Sequence, residues 1–125
     1  MNPAPPSLGF YEGITETIDN VSLRRHPDTG DRTVLLTFKQ LKAIESFRSF
    51  RSEFSKALKL VDEEGTITIE PSGIRFIFGG PDGDDLDRVE CTLTIDREDH
   101  WDRFMRFMHR YAQAHGMAYG EPTAG

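Results

Sequence analysis

The sequence predicts an α+β domain: an antiparallel β-meander sheet packed by a C-terminal amphipathic helix, with one additional helix inserted mid-chain. Three observations predict it. Several short segments alternate apolar and polar residues with the period of two that a half-buried strand needs. Turn residues separate these segments. Two further segments, around 39–57 and 96–116, repeat their apolar residues with the helical period instead.

The strands follow in order. SLGFYE, NVSLRR and TVLLTF are the first candidates, and RHPDTGDR, from Arg25 to Arg32, is the turn between the second and third. LVDEEGTI places Asp62 first and Gly65 fourth in a tight turn. Those are the preferences of a type I turn followed by a left-handed glycine bulge, so a hairpin closes there. TITIE follows with Ile67 and Ile69 on one face, and Pro71 and Gly73 in IEPSGI supply the next reversal. GIRFIF aligns Ile74, Phe76 and Phe78, while RVECTLTI aligns Val89, Cys91, Leu93 and Ile95 opposite Glu90, Thr92 and Thr94. Local reversals of this kind predict a meander.

Alternation stops between Lys39 and Ala57. At 100° per residue Ala43, Ile44, Phe47, Phe50, Phe54 and Ala57 share a broad face, with Lys42, Glu45, Glu53 and Lys56 opposite. A helix is expected there. The second helix has clear punctuation: Asp96 is the expected N-cap, acidic Asp99 suits the first turn, and Gly116 is the expected stop. Trp101, Phe104, Met105, Met108, Tyr111, Ala112 and His115 fall within about 120° of its wheel, the width of a core-facing stripe. Trp101 is thus expected in the core, its truncation to alanine costing on the order of 3–5 kcal/mol.

Arg103, Arg106 and Arg110 lie on the opposite face with Asp102, His109 and Gln113, and Phe107 stands at the boundary. Arginine beside an edge aromatic suits a partner-binding site, because both types are favoured at interface hot spots. A merely solvated face is the alternative. Either way the arginines are expected to point away from the fold, so reversing Arg103 and Arg110 to glutamate should change stability by less than roughly 1 kcal/mol.

Composition bounds the function. The chain has 125 residues, 37% hydrophobic and 29% charged, which suits one domain spanning residues 1–125. Proline-rich residues 1–7 and the small, polar residues 121–125 are expected to be flexible tails. Fifteen basic against twenty-one acidic residues give a formal charge of −6, which argues against general phosphate binding. No apolar run approaches a membrane span, and the opening MNPAPPS has no signal-peptide pattern. A single cysteine, Cys91, excludes an intrachain disulfide and is expected to be a small buried hydrophobe.

Chemistry-bearing constellations fail one by one. The aspartates of GGPDGDDLD lack the glycine and glutamate of a calcium loop, and no helix start follows Gly79 and Gly80 to bind phosphate. His26, His100, His109 and His115 have no metal spacing, and no nucleophile elbow occurs. Asp62, Glu63 and Glu64 are most simply solvated turn residues. The residues alone indicate a non-enzymatic domain without cofactor, metal or stable small-molecule ligand, which binds a partner. A small nucleic-acid module using the arginine and aromatic helices is the competing class.

One resemblance narrows this. WDRFMRFMHRYAQAHGM, with VDEEG upstream and FYEGI and DNVSLRR near the start, resembles the Psb-twenty-eight (Psb28) family of photosystem II assembly proteins. That family's C-terminal motif is a WDRFMRFM helix followed by RYA and a glycine, standing here between Trp101 and Gly116. The resemblance implies a protein peripheral to the thylakoid membrane on its cytoplasmic (stromal) side, held there by protein contacts. It implies transient association with photosystem II assembly or repair intermediates that contain the larger inner antenna chlorophyll protein, near the reaction-centre subunits. It implies no nucleic acid, pigment or catalysis. The absence of a transit peptide points to a cyanobacterium or a plastid-encoded copy. The aromatic and basic 39–57 segment and the extended GGPDGDDLD loop fit the family's second, paralogous cyanobacterial form.

Overall fold

A computed structural model describes residues 5–11, 13–42 and 57–117. Among these residues the chain forms β1 (Ser7–Gly9), β2 (Asn20–Arg25), β3 (Arg32–Phe38), β4 (Leu58–Asp62), β5 (Gly65–Ile69), β6 (Gly73–Gly79), β7 (Asp85–Ile95) and the helix α1 (Glu98–His115). The architecture is α+β, as expected. The meander is not. The strands divide into a three-stranded antiparallel sheet, β1-β4-β5, and a four-stranded one, β2-β3-β7-β6. The hairpins β2–β3, β4–β5 and β6–β7 are local, but β3 lies beside β7 and β1 beside β4. Alternation specifies which side chains face inward and is silent about which strand lies alongside, so single-sheet order could not be read from it.

The expected mid-chain helix falls on residues 43–56, outside the described residues. Its first four positions, 39–42, are described and are not helical. Two carboxylates hold them: Lys39 donates its amide to Asp19 at 2.6 Å and Lys42 donates its amide to Glu16 at 2.7 Å. Glu16 is itself buried.

The inner faces of both sheets and one face of α1 meet in a single core. Leu8, Leu58 and Leu60 come from the small sheet. Leu23, Val34, Leu36, Phe38 and the whole alternating set Val89, Cys91, Leu93 and Ile95 come from the larger one. The helix packs on β4 and β7 and contributes Phe104, Phe107, Met108, Tyr111 and Ala112. This corrects the stripe. Phe107, expected at the boundary, is fully buried, whereas Trp101 and Met105 are half-buried and His115 is exposed. Two sheets flank the helix, so the buried face turns towards Phe107 and away from Trp101. Trp101 stacks on Phe104 at 6.0 Å and lies under the Arg32 guanidinium, 5.1 Å from the ring centre.

Helix boundaries follow capping rules at one end only. Gly116 is left-handed (φ 66°) and donates its amide to Ala112, as expected of the stop. At the start the cap is Arg97, not Asp96, and no side chain bonds to the first amides. Acidic Glu98 and Asp99 favour the helix dipole there, and Arg97 grips Asp99 through two bonds of 3.0 and 3.1 Å. At the other end Tyr111 accepts the Ile18 amide at 3.0 Å on its buried hydroxyl, tying α1 to the segment before β2.

Gly65 pairs with Asp62 across the β4–β5 turn at φ 128°, a conformation that costs any side chain. An added Cβ would touch nothing within 4 Å, so the cost is conformational alone. Gly65→Val should therefore lower stability by about 1–2 kcal/mol. Chemical denaturation checks this, and an unchanged midpoint would mean the turn adopts another conformation.

Candidate functional site

Arg103, Arg106 and Arg110 follow one another at helical spacing, so they form a ridge on α1 immediately beyond buried Phe107. Across from the ridge lies the β4–β5 turn, with Asp62, Glu63 and Glu64. The two sets interlock. Arg103 donates through Nη1 and Nη2 to the two oxygens of Asp62 at 2.8 and 2.6 Å. Arg106 holds Glu64 in the same two-pronged way, at 2.9 and 3.1 Å. Arg110 reaches Asp62 at 3.0 Å, Glu63 at 3.1 Å and Glu64 as well. Asp62 also accepts the Glu64 amide at 2.9 Å, which pins the turn from inside.

The ridge was expected to face away from the fold, and the turn acids were expected to be solvated. The first is corrected for Arg103 and Arg110 and the second for Asp62, while Glu63 and Glu64 stay exposed as expected. The Asp62 side chain is 0% exposed, and those of Arg103 and Arg110 are only 20% and 29% exposed. Phe107 is buried in the core and reaches no surface. Only Arg106, whose side chain is 50% exposed, presents much of itself to solvent. Reversing Arg103 and Arg110 to glutamate would set like charges against Asp62 and Glu64, so that change is destabilising and not neutral.

A buried carboxylate is tolerated here because two guanidiniums share it. The Arg103 hydrogen bond does most to hold Asp62 down at about 2, with Arg110 and the Glu64 amide adding to it against the upward push of burial. Glu64 is likewise held at about 2, first by Arg106 and then by Arg110. Both carboxyls thus sit below their unfolded range. Their contribution is complete above that range, near pH 4–4.5, and disappears as pH falls towards 2. For Asp62 alone it amounts to about 2 kcal/mol. Thermal melting followed from pH 6 down to pH 2.5 should show the loss, and Asp62→Asn should flatten it. An equal acid loss in that variant would assign the effect to other groups.

Elsewhere the chemistry is sparse. Cys91 is buried, and its thiol is pushed up to about 12 by that burial, which leaves it protonated and unreactive. Among the described residues no cluster of His, Cys, Asp and Glu could hold a metal ion. No helix among them is long and apolar enough to cross a membrane. The ridge and turn bring three guanidiniums against three carboxylates, an arrangement that offers a clamp between two elements and no acid, base or nucleophile free to act on a substrate.

A family model described as "Psb28 protein" matches residues 8–119, from β1 through the whole of α1. The chain belongs to the Psb28 family. It is 32% identical to the "Photosystem II reaction center Psb28 protein" of Guillardia theta, over 90% of this chain and 92% of that protein. The protein of the same description from Prochlorococcus marinus is 30% identical, over 91% of this chain and 92% of its own length. The chloroplastic relative from Arabidopsis thaliana is 33% identical over 91% of this chain, which spans only 59% of that longer protein. The Psb28 match over residues 8–119 takes in both the ridge and the turn. Sequence reasoning found the Psb28 helix motif and missed what its arginines hold. The only signal was the opposite charge of the DEE turn, distant along the chain.

Proposed function

We propose that this chain is a non-enzymatic photosystem II assembly or repair factor. It binds transiently to the cytoplasmic (stromal) face of assembly intermediates that contain the larger inner antenna chlorophyll protein, in contact with reaction-centre subunits. The family match over residues 8–119 supports this reading, because it covers the helix and all the strands but for Ser7 at the start of β1. A protein-binding role also suits a molecule whose described residues hold no cluster able to bind a metal ion and whose sheets have β5, β2 and β6 as outer strands, the outer side of β1 being taken by the Glu16 amide on the Leu8 carbonyl. Thylakoid association would then arise through protein contacts at the membrane surface. Of the residues expected to meet the partner, Arg106 has the most exposed side chain, which supports a contact there; Arg103 and Arg110 are mostly covered by their ion pairs and Phe107 is buried.

The competing nucleic-acid reading loses its main support. Phosphates would have to displace carboxylates already bonded to each ridge arginine, on a molecule of charge −6. A tagged chain recovered from detergent-solubilised thylakoids should bring down the larger inner antenna protein with reaction-centre subunits, and little of the finished complex. Recovery of RNA without those subunits, or of the finished complex alone, would overturn the proposal.

A further inference from the structure

Seven arginines among the described residues have a carboxylate within 4.0 Å: Arg32, Arg75, Arg88, Arg97, Arg103, Arg106 and Arg110. Arg24 and Arg25 are the exceptions. Both are exposed, adjacent, and at the end of β2, which is an edge strand. Acidic Asp28 and Asp31 stand in the turn that follows, yet neither pairs with them. Among the described arginines these two alone, neighbours in a chain with 21 acidic residues, have no carboxylate within 4.0 Å.

Register sharpens the point. Arg25 lies directly opposite Arg32 in the β2–β3 pair, and like charges facing each other across strands are destabilising. Arg32 has its own relief, from Glu98 at 2.9 Å and from the face of Trp101. Arg25 has none. Because side chains alternate along a strand, Arg25 projects on the helix side with Leu23, while Arg24, opposite Thr33, projects on the outer side. Two guanidiniums therefore flank one sheet edge from its two faces. A local rule broken without compensation marks a position kept for something other than stability.

We propose that Arg24 and Arg25 form a recognition edge for an acidic segment of a partner polypeptide. Guanidinium forks match carboxylates in shape as well as charge. A flat anionic bilayer would meet one of the two side chains and leave the other behind the sheet. A polypeptide can turn around the edge and engage both. The inference rests on the partner-binding reading above and adds the chemistry of the partner.

The test uses the full chain in three forms: wild type, Arg24→Gln/Arg25→Gln, and Lys59→Gln, which removes an exposed cation from β4. Circular dichroism melting establishes that each is folded. A fluorescent oligoglutamate peptide, followed by anisotropy, should bind wild type and Lys59→Gln, weaken as salt rises, and lose about tenfold or more in affinity for the double variant. Equal binding by the double variant, or none by wild type, would overturn the assignment. So would wild type binding phosphatidylglycerol vesicles in preference to the peptide. The thylakoid recovery experiment separates the two levels. Wild type that brings down no photosystem II subunits defeats the functional reading, whereas wild type and double variant that bring them down equally defeat the arginine edge alone.

Discussion

Phe107→Ala is expected to lower stability by about 3–5 kcal/mol, the usual cost of emptying an aromatic site in a packed core. The side chain is 0% exposed and lies 5.8 Å from the Tyr111 ring, centre to centre. A domain of this size has on the order of 5–15 kcal/mol in total, so the variant keeps little margin. Its melting temperature should drop by roughly 10–20 °C. Trp101→Ala should cost clearly less, because that ring is only partly buried and lies under the Arg32 guanidinium. Calorimetry on the two variants side by side checks the order. If truncating Trp101 proved the costlier change, α1 would be rotated away from the orientation described above.

Asp62→Ala is the second large effect, at about 2–4 kcal/mol. It removes the shared acceptor of Arg103 and Arg110 and the side-chain oxygen that accepts the Glu64 amide. The lower part of the range for a broken buried pair applies, since both arginines keep some access to water and can rehydrate. A double-mutant cycle with Arg103→Ala isolates the pair, with an expected coupling of about 1–3 kcal/mol. Coupling near zero would mean that Asp62 matters only to its own turn.

What could be read in advance divides along physical lines. Val89, Cys91, Leu93 and Ile95 were legible as one buried face, because strand periodicity is a local property of the residues. Gly65 and Gly116 were legible for the same reason, each at a backbone angle that glycine adopts without strain. Sheet membership was not legible, since pairing of β3 with β7 depends on residues far apart in sequence. The helix wheel failed at Phe107 because a wheel finds the apolar arc of one helix and is blind to how many layers enclose it. It failed at Arg103 and Arg110 for a related reason. Facing away from the apolar arc is not the same as facing water when another hairpin brings carboxylates to that side.

The bond between the Tyr111 hydroxyl and the Ile18 amide joins residues 93 positions apart. With β1 waiting for β4 and β3 waiting for β7, it sets an order in time. On the ribosome the β2–β3 hairpin emerges with one edge and its apolar face bare, and neither can be covered until β7 and α1 have been made. Folding from many long-range contacts is slow, in the millisecond to second range typical of such topologies. During that interval the nascent chain exposes Val34, Leu36 and Phe38, which makes the period of synthesis, and not the finished fold, the stage at which this protein is most exposed to aggregation.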